Sequence, residues 1–500
     1  MNSRNPVVLS VDRNVRWLCR YLGGLLALFM LSNISGCVAV GPDYVPMEIK
    51  SAKTWYSDLD GGLTNKTASP TNLAIWWGTL NDPVLSSLID RAVANNLDLK
   101  EARARVRESR ARSGISRADL FPAIDATGSV TKSRSSENKG GGDEINLYSA
   151  GFDAGWELDV FGGLRRSIEA SDADLQASAE DLNNVLVSLL AEVALNYVDT
   201  RTYQTRLAVA NASLDAQQEA YGLIQSRYQA GLSDELAVQQ ARYNLENTRS
   251  QIPALRTGLE ATLNRLAILL GQTPGAVHAE LKEHKPIPVT PLEVAVGVPA
   301  DTLRHRPDIR MAERELAAQT ARVGVATADL YSKFTLTGTI GLESVSSTDF
   351  IAAASHIWRI GPGFSWNIFD AGAIRQNIKV QSALQEQALI QYEATLLGAL
   401  EEVENALIAY VEEQQRRKTL KAGKDAAQQA TQLARDQYQA GLVDFSNVLD
   451  AQRTLLSFED NLAQSDGAVT SNLVRLYKAL GGGWTTIMSS PEDNALQNEG

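Results

Sequence analysis

The sequence "ARSGISRADLFPAIDATGSV" occupies residues 111–130, and the similar "ARVGVATADLYSKFTLTGTI" occupies residues 321–340. Other similar positions share the same offset of 210 residues: Trp156 and Trp366, Gly271 and Gly481, and the two "YQAGL" copies starting at Tyr228 and Tyr438. One constant offset indicates a duplicated domain, because the units of solenoid proteins are much shorter. We therefore expect repeat one at residues 82–271, a Pro-rich linker at 272–290, repeat two at 291–481 and a polar tail at 482–500.

The hydrophobic pattern changes its period inside each repeat. A helical pattern from about Pro83 to Ala118 gives way to four short segments in which apolar and polar residues alternate, as in β-strands. Their apolar positions carry even numbers: Ile124, Ala126, Val130, Phe152, Trp156, Leu158, Phe334, Leu336, Ile340, Trp358, Ile360, Phe364, Trp366 and Ile368. Two structures explain this alternation: a soluble sheet with one buried face, or a membrane β-barrel with water inside. Segments of about ten residues with Trp and Tyr near their ends favour the barrel.

A helical pattern of unusual length follows each pair of strands. We expect long helices at about 164–229 and 373–439 and returning helices at about 234–270 and 445–480. About 66 residues at 1.5 Å each make a rod of roughly 100 Å, and its leucines follow coiled-coil spacing. Each rod ends at "YQAGL", where Gly231 or Gly441 can adopt the positive φ that terminates a helix. The repeated motif therefore marks the tips of two helical hairpins.

Residues 1–36 have the pattern of a bacterial lipoprotein signal peptide. Four Arg precede an apolar run at Tyr21–Leu31, which is too short for a typical spanning helix. The run leads to "ISGC" at Ile34–Cys37, which resembles a lipobox. That resemblance implies that Cys37 is acylated and begins an N-terminal segment at 37–81, and Val38 after it implies sorting to the outer membrane. The alternative is a stray Cys after an ordinary signal peptide.

Composition narrows the classes of partner and function. The formal net charge of −12 argues against nucleic acid as a partner. Cys37 is the only Cys after the signal segment, so an intramolecular disulfide is excluded there. The four His lack metal-ligand spacing, and neither a G-x-S-x-G motif nor a phosphate loop is found. We therefore expect neither an enzyme nor a metal site, and no cofactor beyond the covalent lipid on Cys37.

Several features together resemble one family. They are the lipobox, "VGPDYVP" at Val40–Pro46, "LRHRPDI" at Leu303–Ile309, "VLDAQR" at Val448–Arg453, the doubled strand pair and the two hairpins. This combination resembles the TolC/OprM family, the outer-membrane channels of tripartite efflux pumps, in its lipoprotein (NodT-like) branch. The resemblance implies an α+β membrane protein: a homotrimer with a twelve-stranded β-barrel, four strands from each protomer, continuous with a long periplasmic α-helical barrel of coiled-coil hairpins.

The resemblance also implies a function and a gate. Such channels passively conduct small molecules, such as drugs, out of the periplasm when a periplasmic adaptor and an inner-membrane RND transporter open their tips. In the family the second tip carries a Tyr, an Arg and two acids. Tyr438 and Asp450 match this pattern, whereas Val443 and Asn447 depart from it, and Asp444 is an extra acid that could substitute. We expect Asp450 to form an acidic ring, the alternative being an ordinary solvated acid on a helix face.

The adaptor-docking tips are expected at Gly231, Leu232, Gly441 and Leu442. Two other functions stay open. A non-conducting coiled-coil lipoprotein could space the layers of the envelope, but a spacer has no need of amphipathic strands. The outer-membrane duct of a type I secretion system is the second, and the lipobox and "GPDY" argue against it.

Overall fold

The computed structural model describes residues 39–47, 54–66, 73–139, 141–288 and 293–484. Cys37 and the end of the polar tail lie outside these residues. The described chain forms two compact units. Unit one contains the residues up to Val45, Ser109–Leu175 and Glu315–Leu389; unit two contains Pro46–Glu108, Gln176–Arg314 and the residues from Ile390 onward.

Unit one contains one antiparallel sheet of four strands in sequential order. The strands are β1 (Ala123–Arg134), β2 (Glu144–Leu158), β3 (Lys333–Ser344) and β4 (His356–Ser365). The four predicted strands are thus confirmed. Among the described residues, β1 pairs only with β2 and β4 only with β3, so both outer edges of the sheet are unpaired there.

The last strand ends earlier than the alternation predicts. Trp366 and Ile368 follow β4 rather than lie in it. In β2, the residues Trp156–Leu158 reach past β1 and pair only with β3. The described part of the chain gives β4 no second neighbour, so the corresponding residues 366–368 have no strand there to pair with.

The described chain has eight α-helices. They are α1 (Pro83–Asn95), α2 (Leu97–Ala118), α3 (Gly163–Gln229), α4 (Glu235–Leu269), α5 (Pro299–His305), α6 (Pro307–Ala328), α7 (Ala373–Gln439) and α8 (Phe445–Ala479). Both long helices and both returning helices are confirmed. Across the described ranges, no helix combines enough length with enough apolar character to cross a membrane.

The predicted first helix at 83–118 is wrong, because it is broken at Asn96. The Asn96 side chain donates to the Leu269 carbonyl at the end of α4 (3.0 Å) and accepts from the Leu99 amide (2.9 Å). The Asn96 side chain thus satisfies a carbonyl at the C-terminal end of α4 and caps the N-terminus of α2. Arg306, 210 residues later, separates α5 from α6 and donates to the Ala479 carbonyl at the end of α8 (2.6 Å).

The main hydrophobic core lies in unit two. Leu85, Leu88 and Ile89 of α1 are completely buried there, together with Leu190 and Val193 of α3. Trp76 stacks on Tyr477 of α8 with ring centroids 5.5 Å apart. The expected linker also packs against this core, since Val277 and Leu281 are completely buried. Arg201 and Gln204 of α3 hold the linker through the Glu283 and Leu281 carbonyls.

Candidate functional site

Both hairpin tips have the same backbone geometry. Gly231 and Gly441 have φ of 73° and 72°, in the left-handed region. Leu232 donates to the Arg227 carbonyl (2.8 Å), and Leu442 donates to the Gln437 carbonyl (2.9 Å). With the shorter-range bonds from Gly231 to Tyr228 and from Gly441 to Tyr438, each tip forms a Schellman motif. The predicted helix-terminating role of both glycines is confirmed.

Each tip exposes one leucine. Leu232 is 75% exposed and Leu442 is 74% exposed. A Cβ added to either glycine would meet nothing within 4 Å, so the glycines are needed for their φ and not for space. Each tip therefore presents an apolar side chain on an open turn.

Tyr438 connects the two hairpins of unit two. Its ring lies 5.1 Å from the Phe445 ring, and the Arg227 guanidinium lies over it at 5.0 Å. It packs against a small buried cluster that includes Ile224 of α3 and Val448 of α8. Arg227 belongs to the first tip and Tyr438 to the second, so this cation–π contact joins the two tips.

The two predicted acids lie on the same tip as Tyr438 but in different environments. Asp444 is the N-cap residue of α8, and its side chain makes no capping hydrogen bond. Its counterpart Asp234 does cap α4, by accepting from the Ala237 amide (2.8 Å). Asp450, within α8, accepts from Arg453 (2.8 Å).

Arg453, the partner of Asp450, is not among the predicted gate residues. The signal was available, since Asp450 and Arg453 in "VLDAQR" are three residues apart and so share one face of a helix. Both side chains are more than half exposed, and such a surface pair contributes about 1 kcal/mol or less. Asp450 is thus a weakly held, solvated acid within one chain.

The "RHRPD" motif forms a buried ionic cluster in unit two. Arg306 contacts Asp308 (2.7 Å) and Glu402 (2.7 Å) while its side chain is almost completely buried. Burial lowers the pKa of Arg306, but its hydrogen bonds with Asp308 and Glu402 outweigh this and raise the pKa overall. The motif therefore ties α6, α7 and the end of α8 together, which is a structural role.

The "GPDY" motif is held in unit one by one buried arginine. Arg166 at the start of α3 donates to the Val40 carbonyl (3.1 Å) and to Asp43 (2.6 Å). The Val40 amide donates to the Phe161 carbonyl (3.1 Å). A Cβ on Gly41 would overlap the backbone of Gly324, so this position requires glycine. The segment that begins two residues after Cys37 is thus fixed beside the end of β2.

Comparisons with known proteins agree with this geometry. The family model described as outer membrane efflux protein matches residues 88–272 and 298–482. Nodulation protein T of Rhizobium leguminosarum bv. trifolii is 30% identical over 459 residues, which cover 91% of this chain and 96% of that protein. The probable outer membrane lipoprotein SilC of Salmonella typhimurium is 29% identical over 466 residues, covering 92% and 98%.

A solved structure is also similar to this chain. The structure of the outer-membrane channel OprN is 35% identical to this chain, has a TM-score of 0.84 and covers 89% of this chain and 99% of that one. The resemblance stated from the motifs is confirmed, and with it an outer-membrane location and a role in efflux as a channel. This chain belongs to the outer membrane efflux protein family.

Proposed function

We propose that this chain is the exit duct of a tripartite efflux pump, which releases small molecules such as drugs from the periplasm. The sheet of unit one carries this proposal. Its even-numbered apolar side chains, such as Ile124 and Trp358, are exposed, so the described residues do not bury the apolar face. Such a face is stable against lipid, but the two unpaired edges are not. The sheet must therefore close with further copies, and three copies, the number the resemblance implies, would make a twelve-stranded barrel.

Paired helices support the proposed duplication and the helical barrel. α2 and α6 both have 22 residues, α3 and α7 both have 67, and α4 and α8 both have 35. Each second member starts 210 residues after the first. The two stretches that match the family model are separated by the same offset. We therefore assign repeat one to 82–271 and repeat two to 291–481, as the sequence predicts.

A lipid on Cys37 is the second part of the proposal. One residue, Val38, separates Cys37 from Ala39, which is the first described residue, so the two Cα atoms are at most about 7 Å apart. Arg166 holds Val40 close to Phe161, three residues beyond β2. An acyl chain on Cys37 would therefore enter the membrane beside the barrel. Cys37→Ser should abolish palmitate labelling yet leave assembly, because the barrel itself inserts; a labelled variant would contradict this assignment.

The tips are the proposed sites of docking and gating. Leu232 and Leu442 would bind a periplasmic adaptor, which works with an inner-membrane RND transporter. Tyr438, Asp444 and Asp450 would form the resting gate, Asp450 being repeated around the channel axis. The contact of Tyr438 with Arg227 supports a gate that both hairpins control.

Conductance in a planar bilayer tests the function. We expect the purified chain to form channels, whereas a non-conducting spacer would form none. Expression in a strain that lacks its own outer membrane duct separates the other alternative. An efflux duct restores resistance to small drugs, and a type I secretion duct restores export of a protein substrate instead. Absence of both conductance and resistance would reject the proposal.

A further inference from the structure

The edges of the sheet carry information about how copies of this chain join. Within the chain, β2 closes repeat one and β3 opens repeat two, and these strands pair over eleven positions from Tyr148–Ser344 to Leu158–Phe334. If the repeats are equivalent, β4 must meet β1 of a second copy as β2 meets β3. Adding 210 to the β2 residue and subtracting 210 from its β3 partner converts each known pair into a pair between copies.

We infer that β4 of one copy pairs antiparallel with β1 of the next in a single register, with Trp358 opposite Arg134 and Ile368 opposite Ile124. This inference rests on the proposed channel and names the residues at its closing seam. An antiparallel seam fits the strand directions, because in the observed sheet β4 runs parallel to β2 and β1 runs parallel to β3. The seam uses the whole of β1 except Ala123.

The early end of β4 supports this register. Trp156–Leu158 of β2 pair with β3 alone, because β1 stops opposite Gly155. Their counterparts are residues 366–368, which follow β4 and pair with no strand in the described ranges. In the inferred register they lie opposite Ile124–Ala126 of the neighbouring copy. The neighbour would thus extend β4 by the three residues that the alternation predicts.

Side-chain parity gives independent support. The even-numbered residues are apolar or glycine from Ile124 to Val130 in β1 and from Trp358 to Ile368 in and after β4, whereas the last two even positions of β1 are Lys132 and Arg134. The inferred register places even residues opposite even residues. A slip by one residue would put apolar side chains opposite polar ones and move one strand's apolar set to the wrong face. Only slips by two residues compete with this register.

The chain below the strands also fits. Phe161, just after β2, stacks on Tyr331, just before β3, with ring centroids 4.6 Å apart. The counterparts at the seam are Ala371 and Phe121. Phe121 is 71% exposed, and Ile368 is 82% exposed. A neighbouring copy would cover these apolar side chains at the place where the internal junction has its aromatic pair.

Disulfide cross-linking in outer membranes tests the register. We would combine Asp125→Cys with Asn367→Cys, which face each other across the seam. Opposed residues in antiparallel strands have Cβ atoms about 4.5–5.5 Å apart, close enough for a disulfide after small adjustments. Mild oxidation should convert most of the chain to covalent dimers and trimers on non-reducing gels, and dithiothreitol should reverse this. The unmutated chain, which retains Cys37, should stay monomeric on the same gels.

Two matched variants complete the test. Glu157→Cys with Thr335→Cys is the internal equivalent, a pair of partners in β2 and β3, and should form a disulfide without oligomers. Thr127→Cys with Asn367→Cys represents a two-residue slip and should give no oligomers. Oligomers from the slipped pair would overturn the register, as would monomers from the Asp125 pair while the internal pair oxidises. A bismaleimide linker in place of the oxidant provides a second readout for the Asp125 pair and the internal pair.

The outcome also separates this inference from the proposed function. Conductance without oligomers from the Asp125 pair rejects the register and leaves the duct. Oligomers with neither conductance nor restored drug resistance support the seam and reject the duct.

Discussion

The glycine at the second tip allows a sharp test of how the hairpin ends. Gly441 has φ of 72°, and a Cβ there would meet no atom within 4 Å. Gly441→Ala therefore introduces no clash, and its whole cost is the left-handed backbone, about 1–2 kcal/mol. Both hydrogen bonds of the Schellman motif can still form. The destabilisation of the closed tip therefore raises the equilibrium constant for its local opening by roughly 5- to 30-fold.

Hydrogen exchange measures this opening directly. The Leu442 amide donates to Gln437 in the closed tip and exchanges when the tip opens. We expect its exchange to accelerate by roughly 5- to 30-fold in Gly441→Ala. Gly231→Ala should do the same at Leu232, since the two tips share one geometry.

A glycine inside α7, the helix that Gly441 terminates, is the matched control. Gly398 lies inside α7 and its added Cβ also meets nothing within 4 Å, but its φ is not positive. Gly398→Ala should stabilise α7 by about 0.5–1 kcal/mol and leave exchange at Leu442 unchanged. A change of less than about twofold at Leu442 in Gly441→Ala would refute the reasoning, because the conformational cost would then be absent.

Three further predictions concern charged residues. Arg306→Met should destabilise the protein by about 2–3 kcal/mol, because the buried Ala479 carbonyl and two partly exposed acids lose their hydrogen-bond donor. Arg249→Met at an exposed pair should cost about 1 kcal/mol or less. Equal shifts in thermal unfolding for the two variants would contradict this. Hydrogen bonds from the backbone amides of Ile374 and Gly372 lower the pKa of Asp370, so its stabilising effect is complete above the usual carboxyl pKa of about 4 and is lost as pH falls through the lowered value. Asp370→Asn should therefore narrow the difference in thermal stability between pH 7 and pH 3, and an unchanged difference would contradict this stabilising role of the Asp370 carboxylate. Asp450→Ala should loosen the resting gate and raise open probability by no more than about fivefold, since its pair with Arg453 is exposed; unchanged conductance and unchanged leakage of large antibiotics would exclude Asp450 from the gate.

Local physics made much of the fold predictable from the sequence. Alternation at period two located all four strands, because side chains of a strand point to opposite faces in turn. The long stretches without proline located α3 and α7 to within one residue. Gly231 and Gly441 marked the tips because only glycine adopts a positive φ without strain. The combination of motifs then identified the family.

Contacts between distant residues decided the rest. The break at Asn96 depends on the Leu269 carbonyl, 173 residues away, so no local pattern reveals it. Arg306 belongs to a sequence motif whose pattern does not reveal the contacts of its side chain. The fold shows that Arg306 binds Asp308, Glu402 and the end of α8. β4 ends at Ser365 although its alternation continues, because a strand needs a neighbour and the residues that the structure describes supply none there. Sequence determined which segments are strands and helices, since that depends on neighbours along the chain. Tertiary structure determined where they end, since an end is set by the hydrogen-bond partners that the fold brings to it.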